Sequence, residues 1–97
     1  MKNFYYEVIL QIRGEFTEEI LDFIDRWLHK FNEKDLYRSE EVKGGLDYYI
    51  ANKSVGKKLA QILKKQFKGK LINSYKMHSV SREGTKLYKM TVSIRFG

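Results

Sequence analysis

Leu36-Tyr37-Arg38-Ser39-Glu40-Glu41-Val42-Lys43-Gly44-Gly45-Leu46-Asp47-Tyr48-Tyr49-Ile50-Ala51 reads as two strands with a tight turn between them. Leu36 to Val42 is one strand and Leu46 to Ala51 the other. Lys43-Gly44-Gly45 turns the chain, because glycines supply the positive φ a short hairpin demands. Adjacent residues of a strand point to opposite faces, so one of Tyr48 and Tyr49 belongs in the core and the other outside it. The same alternation separates Glu40 from Glu41, which therefore cannot form the close carboxylate pair of a glycosidase. The glycines are not a phosphate-cradling loop, which would need a P-loop lysine or a following helix N-terminus.

A helix flanks this hairpin on each side. Before it, Thr17 is the expected N-cap of a helix whose first turn holds Glu18 and Glu19, suited to the positive helix end. Ile20, Ile24, Trp27, Leu28 and Phe31 recur at helical spacing as a core stripe, with Leu21 and Phe23 beside it. Asp22, Asp25, Arg26, His29 and Glu33 take the outer face. After the hairpin, Ser54 is the expected cap of a second helix buried through Val55, Leu59, Ile62, Leu63 and Phe67, with Gly69 ending it. Outward again, Phe4 to Arg13 alternates as a first strand, with Phe4, Tyr6, Val8, Leu10 and Ile12 on one side. Lys70 to Ser81 and Lys86 to Phe96 close the chain as two strands. In the last, Tyr88, Met90, Val92, Ile94 and Phe96 face inward. The order β-α-β-β-α-β-β predicts an α+β fold: a ferredoxin-like (split βαβ) sheet, two helices on one face, and an added C-terminal strand. No proline or linker interrupts residues 1–97, so they read as one domain.

Charge is divided along the chain. Six basic residues oppose ten acidic ones up to Val42, a balance of −4; thirteen oppose two from Lys43 onward, a balance of +11. No acid occurs between Tyr48 and Ser81. Segregation on this scale costs self-repulsion that a polyanion relieves. On the second helix, Lys57, Gln61, Lys64 and Lys68 fall on one line, flanked by Lys58 and Lys65, over ~16 Å at 1.5 Å per residue. Several phosphates of a nucleic-acid backbone fit that length. Lys53 and Lys70 extend the stripe, and Lys76, Arg82, Lys86, Lys89 and Arg95 make the last hairpin basic. Lysine predominance favours backbone contact over base reading. Tyr49 and Tyr75, set among these cations, are candidates for stacking an unpaired base. A protein-docking module acting through the acidic face of the first helix or a sheet edge is the alternative.

Enzymatic and metal chemistry find little support. With no cysteine, disulfides and thiolate metal sites are excluded, and a reducing cytoplasm is the expected compartment. His29 and His78 are far apart, and no serine sits in a nucleophile elbow. No cofactor, metal or small-molecule substrate is expected. No apolar run approaches the ~20 residues of a membrane span, and the opening residues do not follow a signal-peptide pattern.

Four blocks in order carry a family likeness. Tyr6-Glu7-Val8-Ile9-Leu10-Gln11-Ile12-Arg13-Gly14 opens it, and Glu41-Val42-Lys43-Gly44-Gly45-Leu46-Asp47-Tyr48-Tyr49-Ile50 follows. Lys53-Ser54 with Lys57-Lys58-Leu59-Ala60 is the third block, and Tyr88-Lys89-Met90-Thr91-Val92-Ser93-Ile94-Arg95 the last. Together they resemble the central domain of the nonsense-mediated mRNA decay protein three family, especially its archaeal members, from Tyr5 to Arg95. Members are adaptors that bind the large ribosomal subunit during late maturation, and eukaryotic ones carry it out of the nucleus. The resemblance implies ribosomal RNA or ribosomal proteins as partners and no catalytic activity. The family's paired Cys-x-x-Cys zinc modules have no counterpart here, so zinc binding and nuclear transport are not implied.

Overall fold

Seven elements follow in the expected order: β1 (Val8–Gly14), α1 (Glu18–His29), β2 (Tyr37–Val42), β3 (Gly45–Ile50), α2 (Lys53–Gln66), β4 (Lys70–Arg82) and β5 (Thr85–Phe96). The computed structural model describes residues 4–82 and 85–97, and of 73–82 and 85–88 the backbone alone. The strands form one mixed sheet in the order β2-β3-β1-β5-β4. The added strand does not extend an edge. β5 lies between β1 and β4, parallel to β1, with Val8 opposite Met90 and Gly14 opposite Phe96. The other three pairings are antiparallel.

One parity of each central strand makes the core. Val8, Leu10 and Ile12, Tyr48 and Ile50, and Met90, Val92, Ile94 and Phe96 are buried together with Ile20, Ile24 and Leu28 of α1 and Val55, Leu59, Ala60 and Leu63 of α2. Both helices therefore cover the same face. α2 comes close enough that a Cβ on Gly56 would meet Val8 Cγ1 at 2.3 Å. The other face has no helix and carries its own polar contacts. There Arg13 Nη1 lies 2.9 Å from Asp47 Oδ1, and the Ser93 hydroxyl donates to Gln11. Asp47 is only 7% exposed and its Oδ1 accepts no aligned hydrogen bond. Arg13 Nη1 instead donates to the carbonyls of Ile12 and Leu46, so its hold on the carboxylate is coulombic.

Several local expectations are corrected. β1 begins at Val8 because its partner β3 ends at Ile50. Freed from the ladder, Tyr6 leaves the core side and packs edge-on against Tyr49, ring centres 5.1 Å apart, while Phe4 lies under the Arg38 guanidinium. Phe31 falls beyond the end of α1 and is 42% exposed instead of buried. Ile62 is half-buried, and Gly56 and Ala60 occupy the α2 stripe in its stead. The α2 cap is Asn52, whose side chain accepts from the Ser54 and Val55 amides at 2.9 and 3.2 Å, and not Ser54. At the other end the left-handed residue is Lys68, with φ 57°, rather than Gly69. In the β2–β3 turn, Gly44 alone has positive φ, and Gly45 already belongs to β3.

The β4–β5 ladder runs from Lys70–Arg95 out to Arg82–Thr85, whereas β1 meets β5 only from Met90 to Phe96. Five residues at ~3.4 Å each carry the hairpin about 17 Å beyond β1.

Candidate nucleic-acid interface

α2 has fourteen residues, no acid in its first turn, and Lys64 and Lys65 in its last. Seven residues turn a helix by nearly two whole turns, so Lys57 and Lys64 form one row and Lys58 and Lys65 another, each ~10 Å long, with Gln61 between them. All five side chains are exposed. A groove of about 450 Å³ runs along this face, lined by Lys58, Gln61, Ile62, Lys64 and Lys65. Half-buried Ile62 supplies an apolar floor under the cations. Among the described residues, no carboxylate lies within ion-pair distance of Lys58, Lys64, Lys65, Lys68 or Lys70.

Cations at the start of a helix oppose its dipole, and here Glu7, just before β1, compensates. Glu7 Oε1 accepts from the Lys53 amide at 2.8 Å, while Tyr5 donates to Glu7 Oε2 at 2.7 Å. The Tyr5 hydrogen bond, then that of the Lys53 amide and its charge, hold the Glu7 carboxyl below its usual value against the opposing effect of burial. Half-buried Lys53 thus begins α2 beside a carboxylate.

The remaining candidates disperse around the molecule. Lys68 leaves the helix at the α2–β4 corner, where it is exposed. Lys70 pairs in register with Arg95, which pairs with Arg13, so these three cations cross the helix-free face in one row. Lys89 belongs to that face too: its ammonium donates to the Tyr6 carbonyl at 3.2 Å and stands 3.5 Å from the centre of the Tyr6 ring. Tyr49 is also there, half-buried, its hydroxyl donating to Glu40 at 3.2 Å. The fold therefore does not bring Tyr49 beside the lysines of α2. The side chains of Tyr75, Lys76, Arg82 and Lys86, and of His78, lie outside the described residues.

α1 is divided rather than uniformly acidic outside. Its Asp25 side turns toward β2, where the Tyr37 hydroxyl donates to Asp25 Oδ1 at 3.3 Å. Burial, with the Asp25 charge adding to it, pushes Tyr37 up to about 12. The side turned toward α2 carries Phe23, Trp27, Arg26 and Lys30 around a separate groove. Arg26 and Lys30 continue, at four-residue spacing, the row that Asp22 begins, and Arg26 Nε donates to the Asp22 carbonyl at 3.3 Å, so this flank is mixed in charge.

An α+β domain with one acid-free cationic helix is the class of molecule these features define. Over residues 5–96 the chain matches the family described as NMD3, second domain, and it belongs to that family. The function is accordingly ribosome-related, and the family's association is with the large ribosomal subunit. Curated proteins offer no match to the chain.

Proposed function

We propose that this chain is a non-catalytic, cytoplasmic RNA-binding module that engages ribosomal RNA of the large subunit through the outer face of α2. The observation carrying this reading is the pair of exposed lysine rows, Lys57/Lys64 and Lys58/Lys65, on a helix without a single acid. Each cation that neutralises a phosphate releases a condensed counterion, and that release drives association. Lys68 at the α2–β4 corner lengthens this surface at the helix end, and the projecting β4–β5 hairpin offers a second approach to a folded RNA. Co-sedimentation with the large ribosomal subunit tests the reading: the wild-type chain is expected in the large-subunit fractions, and Lys58→Glu/Lys64→Glu/Lys65→Glu at the top of the gradient. Equal co-sedimentation of both at moderate salt would place the contact elsewhere.

A further inference from the structure

Phe23, Trp27 and Phe31 succeed one another at four-residue intervals, so they form one strip along α1. The strip faces α2, because Phe23 meets Phe67 edge-on at 5.2 Å. Trp27 and Phe31 meet in the same way at 5.1 Å. Phe23 and Trp27 rest on the core as half-buried side chains, whereas Phe31 is 42% exposed. A groove of about 320 Å³ opens beside them, lined by Phe23, Arg26, Trp27 and Lys30. Continuing the 100° steps of α2 to Phe67, whose amide still bonds the Leu63 carbonyl, puts the Lys57/Lys64 row on the flank nearer α1. The aromatic strip thus lies between the Lys57/Lys64 row of α2 and the Asp22-Arg26-Lys30 row of α1, whose cationic end, Lys30, lines the groove.

From this arrangement we infer that the cleft along the aromatic strip of α1, on its α2 side, holds unpaired RNA, its bases against Trp27 and Phe31 and its phosphates along the Lys57/Lys64 row and at Lys30. The inference rests on the RNA-binding reading and adds the form of RNA bound. A duplex keeps its base faces stacked on each other and offers only phosphates and groove edges, which would leave the rings unused. A single strand presents both backbone charge and flat π-faces, and aromatic platforms accept any base because every base has such a face. The strip spans eight residues, ~12 Å along the helix axis, room for more than one stacked base.

Trp27 is the only tryptophan in the chain, so its emission reports on the cleft without any substitution. Labelled oligoadenylate and a short RNA duplex are titrated separately, binding being read by anisotropy and stacking by Trp27 fluorescence. Oligoadenylate is expected to quench Trp27 with the midpoint seen by anisotropy, and the duplex to bind without quenching. Phe31→Ala, at an exposed position, is expected to weaken oligoadenylate about tenfold and leave the duplex affinity unchanged. Saturation by oligoadenylate with unaltered Trp27 emission, or an equal loss for both RNAs in Phe31→Ala, overturns the inference while leaving the lysine surface intact. Quenching by an acidic amphipathic peptide but not by oligoadenylate gives the cleft to a protein partner and overturns it as well. Absence of any anisotropy change with either RNA overturns the RNA-binding reading itself.

Discussion

Gly56 shows how one residue sets the distance between the cationic helix and the sheet. In an open helix, alanine would gain about 1 kcal/mol over glycine. Here the added Cβ would come 2.3 Å from Val8 Cγ1, a fully buried side chain with nowhere to move. Overpacking of a tight core costs about 1–3 kcal/mol, which outweighs that gain over most of its range, and Gly56→Ala is expected to lower stability by up to about 2 kcal/mol in urea unfolding. Combining it with Val8→Ala should recover part of that loss relative to the sum of the single changes; strict additivity would contradict the contact. Nothing in the spacing of residues announced this glycine, since a helical pattern marks which side is buried but not how near the strand beneath it comes. Phe31 fails for a related reason. It continues the apolar spacing of α1, yet the helix ends at His29 and Asn32 turns away with φ 46°.

At the scale of elements, the seven segments and their order were legible because alternation and helical spacing are strong over these lengths, as in Val8–Ile12 and Ile20–Leu28. The capping of α2 was not, since Asn52 and Ser54 are both good caps and only the backbone geometry separates them. Asn52→Ala is therefore expected to cost about 1 kcal/mol, and Ser54→Ala only a few tenths, measured by thermal unfolding. Glu7→Gln tests the support that the segment just before β1 lends to the same helix end. The Glu7 carboxyl is held below its usual 4.5, so its contribution is complete above that pH and fades as pH falls through the lowered value. The stability gap between wild type and Glu7→Gln, about 1 kcal/mol at neutral pH, should close in acid below 4.5 and not in alkali. Placement of β5 between β1 and β4 was equally hidden, because alternation tells which face a residue takes but not which strand lies alongside.

Across the whole molecule, the division of charge along the chain becomes a division in space. The acidic side of α1 and Glu40 and Glu41 of β2 lie toward one edge of the sheet, Lys70 begins the strand at the other, and α2 packs over the central strands β3, β1 and β5. That gradient was readable in the residue order because the β-α-β-β half of the chain builds one side of the sheet and the α-β-β half most of the other. The separation of Tyr49 from α2 was not, since it depends on which face of the sheet the helices cover. RNA binding, as proposed, depends on the lysine rows of α2 as a phosphate-binding surface. Its most direct test is the affinity for large-subunit RNA across a salt series, compared between the wild-type chain and Lys58→Glu/Lys64→Glu/Lys65→Glu. With about 0.7–0.9 of slope in log K against log salt for each phosphate contact, the variant should lose roughly two units of slope and most of its affinity, with an unchanged melting temperature. An identical slope and affinity in the folded variant would contradict the account.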